Sequence, residues 1–335
     1  MTRIHIQLPT NNDAYAKYRI LDPVKYCGKQ LAQEDIHITV DKDIDVNADV
    51  IVLHGMLDPY HLRTVEELAT TRPLIWSCDD AMYDIPDTNP IHNLVGYTEK
   101  EVMKYCLNDL AAAILTPTQA CAEYYGHPDK TYVAPNLIDA SEYTRFKPRK
   151  EIKRIGWVSG QSHWADGDLV EHLPAQYPDQ EFVFFSTLPE KLTQYRRDPG
   201  GQHIHCQPTL KNVGYLRSYP FYAYQSVLNA LELDCGLAPL HNTVFNRCKS
   251  TLKWLEYSAM GLPTIASNVV PYKHSIEHGI TGYLVDNNPE AWTEAIRSAS
   301  LTVGRNAYFE VLEHWSWQSP NCQEIWLNYF RSIAN

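Results

Sequence analysis

The chain has 335 residues, 44% of them hydrophobic and 21% charged, with a formal net charge of −11. That is enough apolar material for two packed α/β domains and excludes a disordered chain, while the acidic balance opposes nonspecific attraction to nucleic acid or anionic lipid. The opening MTRIHIQLPT lacks an apolar leader core, and no segment approaches the apolar run of about eighteen residues that a membrane span needs, so a cytoplasmic chain is expected. Its eight cysteines are scattered without a Cys-x-x-Cys pair, which points to reduced thiols rather than a zinc site or a disulfide framework.

Short apolar runs alternate with helical patterns along the chain. Ile4 to Leu8, Ile36 to Val40, Val50 to His54, Leu74 to Cys78, Ile114 to Thr116 and Tyr132 to Ala134 read as strands, with helical segments such as Leu57 to Thr71 and Glu99 to Ala113 between them. That order predicts a doubly wound parallel sheet. Asn11, Asn12, Asp13, Tyr15, Tyr18 and Arg19 follow the first strand, and Asp79, Asp80 and Asp84 follow the fourth, at the ends where open sheets hold ligands. Asp80 is a candidate for holding an acceptor hydroxyl; the plainer reading is a turn-capping Asp79 with a solvated Asp80. The Asp41-Lys42-Asp43 and Asp43-Ile44-Asp45 triplets lie in an acidic turn before a strand and are read as solvated, not as metal ligands.

The charged stretch from Lys147 to Lys153 is the expected domain joint, dividing residues 1–150 from 151–312, with 313–335 a separate terminal segment. The second half repeats the alternation with strands at Ile155 to Val158, Glu181 to Phe185, His203 to Cys206, Gly236 to Leu240, Thr264 to Ser267 and Tyr283 to Val285. Gly160 and His163 follow its first strand; His163 faces phosphates or caps the next helix. The end, Trp315 to Ile333, is aromatic with a helical period, and Trp315, Trp317 and Trp326 are read as packing residues.

The most informative stretch is DCGLAPLHNTVFNRCKSTLKWLEYSAMGLPTIAS, from Asp234 to Ser267. It reads as a buried strand, a loop from Pro239 to Arg247, a helix from Ser250 to Met260 and a second parallel strand. The helix start beside Arg247 and Lys249 suits an anion such as a diphosphate. Lys249, Lys253 and Glu256 recur on one helical face, which alone fits a surface ion pair as well as a binding carboxylate.

The pattern FNxxKSxLKxLEYxAxGLPxIAS, followed by Pro271-Tyr272 and the run Gly279 to Val285, resembles the donor-binding segment of family 4 retaining glycosyltransferases (glycosyl transferases group 1). Weaker echoes precede it in the right order: Ile114 to Thr118, Val133 to Asp139, and Ile155 to Gly160 with His163. The resemblance implies the GT-B architecture: two Rossmann-like domains facing a cleft, acceptor side first and donor side second, with a C-terminal helix crossing back. It implies metal-independent transfer of a hexosyl or pentosyl group from a nucleoside-diphosphate sugar, with retention, to a hydroxyl on a glycan, lipid-linked or small-molecule acceptor. A modified nucleic-acid base ranks below these, and no cofactor or integral membrane contact is implied.

On that reading Glu256 holds the ribose, and Ser250, Thr251, Lys253 and Asn246 join Gly160 and His163 around the donor. Arg247 and Lys249 meet the departing diphosphate, and Asp80 stands at the acceptor. Two departures from the family pattern stand out. Cys248 occupies the place of the first of the family's two glutamates, and the loop after the first strand lacks the glycine pair of many relatives. A GT-B sugar-nucleotide epimerase and an inactive nucleotide-sugar-binding protein are the alternatives.

Overall fold

The computed structural model describes residues 1–8, 14–55, 59–89, 92–144, 151–197 and 204–335. The loop residues Asn11, Asn12 and Asp13, the expected joint at 147–150, and the strand start at His203 lie outside the described residues.

The first half forms a six-stranded, all-parallel sheet from β1 (Thr2–Gln7), β2 (Ile36–Asp41), β3 (Val50–His54), β4 (Leu74–Ser77), β5 (Ala111–Thr116) and β6 (Thr131–Val133), in the order β2-β1-β3-β4-β5-β6. Central β3 and β4 are buried along their whole length, as expected of strands covered by helices on both faces. The helical pattern assigned to Glu99–Ala113 is shorter than expected. A helix runs from Tyr97 to Tyr105, a π-helical turn covers Cys106–Leu110, and β5 already begins at Ala111.

The second half supplies β7 (Arg154–Val158), β8 (Glu181–Phe185), β9 (Thr193–Arg197), β10 (Ile204–Pro208), β11 (Val213–Leu216), β12 (Cys235–Ala238), β13 (Thr264–Ser267) and β14 (Tyr283–Val285). Six of these make a second parallel sheet, β11-β8-β7-β12-β13-β14. The segment read as a sheet strand near Cys206 instead pairs antiparallel with β9 in a separate ribbon, and the sheet edge is β11, which the sequence reading missed. Strand order reverses between β1 and β3 in one sheet and between β7 and β12 in the other, so each sheet has a crevice at its carboxyl end.

The helix Leu252–Ala259 is fixed over β7 and β12 by Tyr257, whose hydroxyl accepts from the Val158 N–H at 2.9 Å and donates to the Leu237 carbonyl at 3.3 Å. A Cβ at Gly236 would overlap the Tyr257 ring, so only glycine lets the helix approach this closely. Trp254 and Tyr257 are completely buried.

The last helix, Pro320–Ala334, returns to the first sheet. Its Trp326, Leu327 and Phe330 share a core with Ile4, Ile6 and Leu31, and Arg331 pairs with Glu34 at 2.7 Å. Phe245 and Cys248, from the second half, are buried in the first half's core beside Cys78 and Cys121. All eight cysteines are free thiols. No helix among the described residues is long and apolar enough to cross a membrane.

Candidate functional site

The carboxyl ends of the two sheets face a shared cavity of about 680 Å³. From the first half it is lined by the turn after β1 (Tyr15, Tyr18, Arg19), the turn after β4 (Asp79, Asp80) and Asn136. The second half contributes Gly160 and His163 after β7, Ser186 after β8, the segment 218–221 after β11, and Lys249, Ser250, Lys253 and Glu256.

Lys249 and Asp80 meet across the cleft, Nζ to Oδ1 at 3.3 Å. The Lys249 ammonium also lies 4.5 Å from the Phe245 ring centroid, and its side chain is largely buried. One residue on, Ser250 Oγ accepts a hydrogen bond from Asn136 Nδ2 at 3.0 Å. The helix begins later than expected, at Leu252. Its first turn carries Lys253, whose Nζ bonds Glu256 Oε2 at 3.0 Å and the Tyr224 hydroxyl at 2.9 Å.

Glu256 is only 2% exposed, and both of its oxygens are engaged. Tyr18 donates to Oε1 at 3.1 Å, and Tyr224 donates to Oε2 at 2.8 Å. Burial, helped by the Glu256 charge, pushes both phenols well above their usual range, so they remain protonated donors at neutral pH. The simple surface-pair reading of Glu256 is therefore replaced by a buried carboxylate in a satisfied network.

His163 Nδ1 lies 3.0 Å from Asp166 Oδ2. Burial and the nearby Lys249 charge depress its pKa, with Asp166 opposing, which leaves a neutral imidazole at pH 7. The other Asp166 oxygen accepts from the His241 N–H at 2.8 Å and from Asn246 Nδ2 at 3.0 Å.

The structure thus brings Lys249, Ser250, Lys253, Glu256, Gly160, His163 and Asp80 around one cavity. It separates three others from it. Asn246 is buried behind the cavity, where it supports Asp166. Thr251 is buried at the start of the helix and lines a second cavity of about 840 Å³, together with Arg247 and His274. Arg247 ends the short helix Val244–Arg247, is exposed, and bonds Asn242 Oδ1 through Nε at 2.9 Å. This helix interrupts what read as a loop, and Arg247 borders only the second cavity, while Lys249 and Ser250 border both.

Sequence reasoning did not single out Tyr224 or Asn136. The aromatic run Tyr219 to Tyr224 and the asparagine in the Val133 to Asp139 echo were the available signals. Among the described residues no cluster of His, Cys, Asp and Glu is arranged to hold a metal ion.

The comparisons agree with this geometry. Residues 226–300 match the family model described as glycosyl transferases group 1, the family to which the sequence resemblance pointed. The fold is GT-B. Over 99% of this chain and all of the other, it superposes on Anabaena Alr3699/HepE, solved in complex with UDP-glucose, with a TM-score of 0.69 at 14% identity. Sucrose-phosphate synthase from Thermosynechococcus elongatus matches with a TM-score of 0.68 at 13% identity, covering 99% of both chains. The catalytic domain of starch synthase IV from Arabidopsis thaliana, bound to ADP and acarbose, matches with a TM-score of 0.62 at 10% identity, over 100% of this chain and 99% of that one. A search of curated protein sequences gave no match.

Proposed function

We propose that the chain transfers a hexosyl or pentosyl group from a nucleoside-diphosphate sugar to an acceptor hydroxyl, with retention of configuration and without a metal. The observation that carries this reading is the convergence of Lys249, Ser250, Lys253 and Glu256, all from one βαβ unit, on the cleft between the two sheets. The family match covers that same unit, and the similar HepE structure holds UDP-glucose.

Glu256 serves the ribose hydroxyls. With both oxygens already bonded, it does so by exchanging the Tyr18 contact for the sugar, so donor binding is coupled to the spacing of the two domains. Lys249 and the Ser250 hydroxyl take the diphosphate. As the glycosidic bond breaks, negative charge grows on the leaving phosphate, and a preorganised ammonium in a water-poor cleft stabilises that charge most in the transition state. Releasing Lys249 to the phosphate frees Asp80 for the acceptor hydroxyl across the cleft. In a front-side transfer the leaving phosphate oxygen accepts the acceptor's proton, so no separate general base is needed. We divide the domains as 1–150, 151–312 and 313–335, and the eight unpaired thiols support a cytoplasmic setting.

The test is to supply nucleotide sugars with an acceptor panel and follow nucleoside diphosphate release and the anomeric configuration of the product. Retained configuration without added metal supports the proposal; an epimerised sugar nucleotide formed without acceptor would favour an epimerase instead.

A further inference from the structure

Among the described residues, Arg19 is the one strongly basic group on the first-half wall of the cavity whose hydrogen-bonding capacity is largely unused. It sits in a π-helical turn, Lys17–Leu21, directly after the short helix Ala14–Ala16, and is only 2% exposed. Nη1 donates to the Ala134 carbonyl at 2.5 Å and to Asn136 Oδ1 at 3.1 Å, and the guanidinium lies 4.9 Å from the Trp326 ring centroid. Three elements therefore hold it in place: the turn after β1, the turn after β6 and the returning C-terminal helix. Nε and Nη2, by contrast, are buried without a hydrogen-bond partner among the described residues.

A buried guanidinium normally uses its whole fork, because an unsatisfied charged donor away from water is costly. Here burial lowers the pKa to about 10, while the negative charge of Asp79 works against that shift, so the group remains a cation at neutral pH. The rigid fork of an arginine fits the paired oxygens of a phosphate or carboxylate better than a hydroxyl. On the proposed reading the donor diphosphate already has Lys249 and Ser250 on the opposite wall. Arg19 belongs to the acceptor's side and is joined to the donor side through Asn136, which accepts from Arg19 and donates to Ser250.

We propose that Arg19 receives an oxyanion of the acceptor, so that the sugar is transferred to a hydroxyl of a molecule bearing a phosphate or carboxylate group. This rests on the reading of the cleft as a nucleotide-sugar site. The network through Asn136 then gives each ligand a way to feel the other, since an anion on Arg19 changes the orientation of the amide that holds Ser250.

The experiment is calorimetric titration of inorganic phosphate, and separately acetate, into the full-length chain saturated with UDP. Wild type, Arg19→Met and Arg19→Lys are compared, with UDP affinity and melting temperature measured for each. The expected result is that wild type binds one of the anions alongside UDP and Arg19→Met loses at least about tenfold of that affinity, or roughly 1.4 kcal/mol. Arg19→Lys, which keeps charge but not the fork, loses about threefold or more, and UDP affinity in both variants stays within about threefold of wild type. Stronger binding of phosphate marks a phosphorylated acceptor, and stronger binding of acetate a carboxylated one.

A merely structural Arg19 would lower the melting temperature without altering anion affinity, which overturns the proposal. Competition between phosphate and UDP, loss of UDP affinity in Arg19→Met, or no anion binding by wild type also overturns it. If Arg19→Met does not fold, Arg19→Lys decides the matter on the same readings. If wild type does not bind UDP, ADP and GDP take its place; if none of the three binds, the titration is made on the free chain, and Arg19-dependent anion binding then keeps the subsite while the nucleotide-sugar reading falls.

Discussion

Tyr18 and Glu256, 238 residues apart, share a 3.1 Å hydrogen bond that joins the wall built by the first sheet to the helix built by the second. Tyr143 lies 3.0 Å from the same phenol, oxygen to oxygen, so the contact is part of a buried chain of hydroxyls that ends on the carboxylate. With three acceptor positions filled and 2% exposure before any ligand arrives, Glu256 reaches a ribose most readily by giving up the Tyr18 contact on Oε1. Tyr18→Phe is therefore expected to tighten, or leave within about twofold, the affinity for UDP, because it frees Oε1 at the cost of one net hydrogen bond worth about 0.5–1.5 kcal/mol of stability. Glu256→Gln is expected to weaken UDP binding by about 1.5–3 kcal/mol. Calorimetry on both variants checks the pair, and equal losses would show that Tyr18 supports the site instead of competing with the ligand.

Lys249 and Arg247 are expected to behave differently. Lys249→Ala should reduce turnover about a hundred- to a thousandfold, the effect of removing one preorganised group that stabilises transition-state charge. Arg247→Ala should retain turnover within about threefold, since its side chain is exposed, bonded to Asn242 and outside the donor cavity. Steady-state rates of nucleoside diphosphate release distinguish them. Equal losses would mean that the Val244–Arg247 helix rearranges when donor binds.

Cys248 sits where the family pattern has a glutamate, yet the structure does not leave a vacancy in the cleft for that carboxylate. The thiol is 2% exposed, packed in the first half's core, with its S–H directed to the Ala120 carbonyl at 3.8 Å. Cys248→Glu is expected to destabilise the protein by at least about 2 kcal/mol through burial of an unpartnered acid, without raising turnover. Denaturant melts together with rates test this; a stable and more active variant would place residue 248 at the sugar after all.

Asp139 supplies the pH dependence. It is buried, which raises its pKa, but hydrogen bonds from Ser141, Tyr26, Lys25 and Gln318 outweigh that effect and hold the carboxyl well below the usual range. Its folded pKa is thus lower than its unfolded value of about 3.9, so its contribution is complete above about pH 4 and is lost as pH falls through the folded pKa. Asp139→Asn should melt lower than wild type at pH 7, and the gap should narrow as the pH is taken below about 4. A gap independent of pH would assign the loss to packing alone.

The alternation of apolar runs made both parallel sheets legible, because strands buried on two faces have little choice of residue, as β3 and β4 illustrate. The strand near Cys206 was misread for the converse reason: β10 carries the same short signature as a sheet strand and only its partner distinguishes it, while that partner, β9, is the polar run TQYRR and was not read as a strand. Within the site, Lys249, Ser250, Lys253 and Glu256 were readable as one local unit with a helical period. Tyr18 and Arg19 were legible only as residues at the carboxyl end of the first strand, and Asn136 only within the Val133 to Asp139 echo, because their relation to that unit exists only once the two halves face each other. Arg247 shows the limit of adjacency: two residues before Lys249, its exposed side chain bonds Asn242 and does not line the donor cavity, whereas Lys249 borders both cavities.

The central claim is that the cleft binds a nucleoside-diphosphate sugar through the Lys249 to Glu256 unit. Its most direct test is calorimetric titration of UDP-, ADP- and GDP-sugars into wild type and a Lys249→Ala/Ser250→Ala variant whose fold is confirmed by melting. The account predicts that wild type binds at least one of these donors, and that the variant loses about tenfold or more of that affinity, equivalent to roughly 1.4 kcal/mol. Absence of binding to every donor, or a variant that binds as tightly as wild type, would contradict it.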